Sequence, residues 1–206
     1  MNIKKSDTRI AYLTRLAVLL AVVIIFTVFN IGNIPVGPIV ATIYQVPVII
    51  GAVLLGIPAG CILGGAWGLL CFWLAVTGQT SDIVALTVVS DNPLLYLAIA
   101  FIPRLMCGLI AGLAANGAKR ILPEKLDYIG FGIVGVIGSL TNTVLYLGAL
   151  YLFIKDTLAA VYEMEVGAVG AMVMGVALSN GLVEAAVSCI IVAALCKALT
   201  KVLKRL

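Results

Sequence analysis

The chain has 206 residues, 63% of them hydrophobic and only 11% charged, with a mean hydropathy of +1.22 and a formal net charge of +4. Soluble domains sit nearer one half apolar and one quarter charged, so this composition excludes a water-soluble protein and points to an all-α integral membrane protein. No polar stretch is long enough for a separate folded unit, so residues 1–206 read as a single transmembrane domain.

The absence of histidine removes the usual imidazole ligands and the commonest general base. Cys61, Cys71, Cys107, Cys189 and Cys196 all fall in apolar runs without a C-x-x-C pair and read as small buried hydrophobes. No metal and no cofactor is expected, and the modest positive charge needs no nucleic acid to explain it.

Lys4, Lys5, Arg9 and Arg15 attend the start of the first apolar run, Ile10–Phe29. Without a small-residue cleavage site, and with further hydrophobic runs behind it, this reads as a retained span. Ala17 and Ala21 share one of its faces. The second span, Ile39–Leu55, carries Tyr44 and Gln45 near its outer end, then Pro47, which removes a backbone donor and frees the carbonyl of Ile43. Gly56-Ile57-Pro58 makes a tight turn into the third span, Ala59–Val76, where Gly60, Gly64 and Gly68 lie on one helical face. Trp67 lies deeper in it and reads as either a belt aromatic or a cavity wall. Trp73 and, in the next span, Tyr96 read as interfacial belt aromatics or as cavity walls.

The fourth span, Pro93–Ala118, has one charge in a long apolar run. Arg104 lies about 16 Å below one edge of a hydrocarbon slab roughly 30 Å thick. A cation there is costly unless it meets protein, water or an anion, which makes it a candidate functional residue. Gly108 and Gly112 share a face of the same span. The fifth span, Tyr128–Phe153, offers Ser139, Asn142 and Tyr146, the last two on one face. The sixth, Val169–Ala198, carries Asn180 and Glu184 four residues apart, with Glu184 at a depth similar to that of Arg104. Either Arg104 and Glu184 form an ion pair between spans four and six, or the guanidinium fork is left for an anionic ligand group. A ligand sharing the arginine would satisfy both.

With six spans, both termini share a side with the loops after spans two and four. That side collects Lys4, Lys5, Arg9, Arg15, Lys119, Arg120, Lys125, Lys197, Lys201, Lys204 and Arg205, which are 11 of the 13 basic residues. The positive-inside rule then makes both termini cytoplasmic. The outer loops, Asn30–Pro38, Thr77–Asn92 and Ile154–Gly167, are lids or ordinary solvated connections. The small-residue ridges pack the bundle internally, except where one faces lipid as a docking surface.

Uncharged polar groups from spans two, five and six collect on the outer side of the midplane, beside one strong cation. That suits an outward-opening pocket for a small water-soluble organic molecule better than an ion pore. No hydrolase, zinc-protease or P-loop motif is present, so an enzyme is not expected, and uphill transport would need a partner to supply the nucleotide site.

The layout resembles the S components, the substrate-capture subunits, of energy-coupling factor vitamin transporters, over nearly the whole chain. The resemblance is carried by Ala17-x-x-x-Ala21, by the run from Val46-Pro47 through Gly56 into Pro58-Ala59-Gly60, by Pro103-Arg104-Leu105 with Gly108, and by Asn180-Gly181-Leu182-Val183-Glu184. It implies capture of a vitamin from outside the cell membrane of a prokaryote, in a pocket closed by outer loops. It also implies docking, through spans one to three and the Ala17–Ala21 face, onto a transmembrane coupling subunit that carries two ATPases, with toppling in the membrane to release the cargo. The patterns around Pro47 and Pro103 look most like the subgroup associated with pantothenate, although folate and other vitamins also carry carboxylates. Tyr44, Gln45, Arg104, Asn142, Tyr146, Asn180 and Glu184 are the expected substrate-binding residues. The alternative is an autonomous small-solute transporter or channel working as a homo-oligomer, although no inverted repeat relates the two halves.

Overall fold

The computed structural model describes residues 3–36 and 39–203. Gly37 and Pro38 of the first outer loop, and Lys204 and Arg205 of the basic C-terminus, lie outside the described residues.

The chain runs through helix α1 (Ile3–Val28), a hairpin of strands β1 (Asn33–Val36) and β2 (Ile39–Thr42), then α2 (Gln45–Leu55), α3 (Ile57–Val76), α4 (Ile83–Asp91) and α5 (Pro93–Ile121). A single turn at Glu124–Leu126 leads into α6 (Asp127–Val161), followed by α7 (Val166–Val176), a wide π-helical turn (Ala177–Gly181) and α8 (Leu182–Leu203). Among the described residues, five helical stretches are long and apolar enough to cross a membrane: Arg9–Val28, Ile57–Val76, Pro93–Ile121, Asp127–Val161 and Val166–Val202. The chain is a multi-pass helical membrane protein.

The expected second span needs correction. Ile39–Thr42 is a strand, paired antiparallel with β1 in the register Asn33↔Thr42 to Val36↔Ile39, and only Gln45–Leu55 is helical. Ile39, Val40, Thr42 and Ile43 are β-branched and suit a pleated ribbon. Pro47 then falls in the first helical turn, where its missing N–H leaves no gap. The Ile43 carbonyl, expected to be free, accepts from the Val46 N–H at 3.0 Å. At 11 residues α2 is about 16 Å long, half the hydrocarbon thickness. It is buried continuously from Gln45 to Val53, a helix apolar all round at the centre of the bundle. Its C-terminus is capped across the core, where Lys119 Nζ donates to the Val53 carbonyl at 2.9 Å.

Two outer loops also carry more helix than expected. The loop Thr77–Asn92 contains α4, whose N-cap Asp82 accepts from the Ala85 N–H at 3.2 Å. Asn92 then caps α5 in the same way, with Pro93 in its first turn. In the loop expected from Ile154 to Gly167, α6 continues to Val161 through a kink at Ile154, and α7 starts at Val166.

Glycine sets the closest helix contact. A Cβ at Gly60 would stand 2.5 Å from the Gly108 carbonyl oxygen, one at Gly68 would stand 2.7 Å from Phe101 Cα, and one at Gly64 would land on the Arg104 carbonyl. The stripe on α3 therefore packs inside the bundle, backbone to backbone against α5. Three packed regions follow. Ile49, Ile50 and Val53 of α2 meet Cys107 and Ala111 of α5, Phe131 and Val134 of α6, and Val192 of α8. Nearer the outer loops, Val84 and Val88 of α4 meet Ile99, Leu150, Leu158 and Val169. Val23, Val48, Leu63 and Trp67 tie α1 to the rest. The other face of α1, with Ile10, Leu13, Ala17, Val18, Ala21, Ile24 and Val28, is exposed.

Candidate functional site

Between the helices lies a cavity of about 490 Å³, within the size range of small-molecule sites. Its walls come from much of the fold: Thr27 near the end of α1 and Asn30 after it, Thr42 and Tyr44 around the hairpin's end, Trp67, Cys71 and Leu74 of α3, and Thr80, Ser81 and Asp82 before α4. Tyr96 and Arg104 of α5, Asn142, Thr143, Tyr146 and Leu147 of α6, and Val176, Asn180 and Glu184 complete it.

Arg104 is held by three independent features. Pro103 is buried in the middle of α5 and has no N–H to give the carbonyl four residues back, that of Ile99. Arg104 Nη1 donates to that same carbonyl at 3.1 Å. The guanidinium carbon lies 4.2 Å from the Tyr146 ring centroid and 5.3 Å from that of Trp67, within cation–π range of both. Beneath it, the bare Cα of Gly64 lets α3 press on the Arg104 backbone. Nε is buried without a hydrogen-bond partner. The cation is thus fixed in direction while part of its donor fork is unspent.

Glu184 occupies another part of the wall. One carboxylate oxygen accepts from the Thr42 N–H at 3.1 Å and the Thr42 hydroxyl at 2.5 Å, which ties the hairpin to the start of α8. The other lies 3.5 Å from Thr143 Oγ1, whose single proton has a closer acceptor in the Ser139 carbonyl at 3.2 Å. Among the described residues no Arg104–Glu184 ion pair forms. Each half of the expected pair is anchored to its own neighbours, and both face the cavity.

Around these charges the polar groups are incompletely satisfied. Asn142 is buried with Oδ1 unpartnered. Gln45 donates to Ser139 Oγ at 3.2 Å, yet its Oε1 is buried and also lacks a partner. Buried polar atoms are nearly always paired, so orphans beside a cavity mark where a ligand or water belongs. Of the residues singled out from sequence, Tyr44, Arg104, Asn142, Tyr146, Asn180 and Glu184 line one cavity, and Gln45 is fully buried at the head of α2. Tyr96 and Trp67 prove to be cavity walls, whereas Trp73 is 63% exposed on the outer surface.

Sequence reasoning missed Thr42, Asp82 and Thr143. Thr143 was findable, since it sits three residues before Tyr146 on the same helical face. Thr42 and Asp82 lie at the ends of connections, where no periodicity points.

A cavity between apolar helices that offers one oriented cation, two carboxylates and an orphaned amide to a small organic molecule defines a ligand-capturing membrane protein. The family described as "ECF transporter, substrate-specific component" matches residues 11–196, and the chain belongs to it. The chain is 32% identical, over 96% of its own length and 96% of the other, to "Pantothenic acid transporter PanT" of Lactococcus lactis subsp. cremoris (strain MG1363). It is 33% identical, over 68% of its length and 67% of the other, to "Pantothenate transporter PanT" of Leuconostoc mesenteroides.

Proposed function

We propose that this chain captures pantothenate for uptake through an energy-coupling factor importer in the cytoplasmic membrane, with no enzymatic step of its own. The observation that carries the reading is Arg104, anchored on the Ile99 carbonyl and without an ion pair among the described residues, in a cavity whose other charged lining groups are the carboxylates Glu184 and Asp82. Pantothenate has a carboxylate at one end, two hydroxyl groups at the other, an amide between them and a compact pair of methyl groups. The carboxylate takes the guanidinium fork over the Tyr146 ring. The hydroxyls donate to the under-used oxygen of Glu184, with Asn142 and Asn180 completing that end. Gln45 braces the wall behind Ser139, and Tyr44 closes it beside Trp67.

In this reading the chain crosses the membrane with both termini in the cytoplasm. The exposed Ala17–Ala21 face of α1 docks on a transmembrane coupling subunit served by two ATPases, because small residues allow close helix approach in lipid. The hairpin and α4 cover the cavity from outside. The test is a thermal-shift screen of the purified chain against a panel of water-soluble vitamins. Pantothenate is expected to raise the melting temperature, since it binds only the folded state. A shift with another vitamin and none with pantothenate would reassign the substrate.

A further inference from the structure

A second chamber of about 180 Å³ adjoins the main cavity and shares Asp82, Tyr146, Leu147 and Val176 with it as a partition. Its far wall is mostly apolar: Val84 of α4, Leu150 and Leu158 on either side of the α6 kink and Met172 of α7, with the exposed Tyr162 at the rim. Apolar pockets of roughly this size accept groups such as a benzene ring. The two chambers meet at the Arg104 end of the main cavity, because Tyr146, whose ring faces the guanidinium, lines both.

We infer that this chamber receives an apolar group attached to the carboxyl end of the ligand, so the chain binds N-alkyl amides of its substrate as well as the free acid. The amide carbonyl replaces the carboxylate before Arg104, a weaker acceptor. The amide N–H passes Asp82, an acceptor at the threshold, and the alkyl tail fills the space between Leu158 and Met172. This rests on the reading that pantothenate binds with its carboxylate at Arg104.

The experiment is calorimetric titration of the purified full chain with pantothenate and with its N-methyl to N-octyl amides. The methyl amide is expected to bind more weakly than the acid. Each added methylene then recovers up to about fourfold in affinity until the chamber is full at about six carbons. Leu158→Trp is expected to abolish the gain with chain length and leave the acid unchanged. Met172→Trp, at a less buried position on the same wall, serves if the first variant does not fold. A flat series overturns the inference. So does a gain that continues to octyl and ignores both substitutions, because the tail would then lie in lipid or detergent. Failure of the free acid to bind overturns this inference together with the reading of the main cavity, whereas a bound acid with a flat amide series overturns only the chamber.

Discussion

Pro103 and Arg104 work as a unit. In a helix interior proline costs about 3 kcal/mol, mainly through a lost hydrogen bond and a clash with the preceding turn. Here the abandoned Ile99 carbonyl is what aims the arginine. Pro103→Ala restores the N–H and competes for that carbonyl, so stability and affinity should move in opposite directions. We expect a melting temperature equal to or above that of the parent, with pantothenate binding weakened by about tenfold, for a directional loss of about 1.4 kcal/mol. Equal or tighter binding in this variant would detach the proline from the site. Arg104→Lys keeps the charge but loses the planar fork and much of the ring stacking, so affinity should fall there too. Arg104 was legible in the sequence as a candidate because a lone cation in an apolar run is costly without protein, water or an anion beside it. Its partner was not, since Glu184 at matching depth was the obvious counter-ion and only coordinates show Thr42 holding it.

Elements decide how firmly the residues are held. The α3–α5 contact depends on glycine, and Gly64→Ala would push a methyl group into the Arg104 carbonyl. That substitution should lower both the melting temperature and ligand affinity. Gly117→Ala, where a Cβ meets nothing within 4 Å, should leave affinity unchanged and be neutral or slightly stabilising. Matching effects at the two positions would show that the stripe does not set the geometry of the site. The hairpin offers a second test. Thr42→Val removes one of two donors to Glu184 and keeps the backbone N–H, so the expected change is faster ligand release with little change in the rate of binding, read by stopped-flow fluorescence of Trp67 and Trp73. The long apolar helices were readable because length and hydropathy suffice for them. The second span was misjudged because an apolar β-branched run has no period that separates a strand from a buried helix, and α2 is hidden on all sides. The same ambiguity concealed α4, with its Asp82 cap and its place in the cavity wall.

At the scale of the whole molecule, the proposed ligand site and the proposed docking face lie on different surfaces. The cavity is lined by the end of α1, the hairpin's end and α3 to α8, whereas Ala17 and Ala21 lie on the exposed face of α1. Ala17→Leu should therefore spare ligand binding by the isolated chain and abolish uptake by cells that express the coupling subunit and ATPases. Uptake surviving that change would place the docking surface elsewhere. The most direct measurement of the central claim is calorimetric titration of pantothenate into the purified chain alone, beside Arg104→Ala and the neutral alcohol analogue of the ligand. The account predicts one-to-one binding by the parent without any partner and a loss of about 2–4 kcal/mol in the variant, with the alcohol weak and nearly indifferent to the substitution. Equal affinity of parent and variant for pantothenate would contradict it.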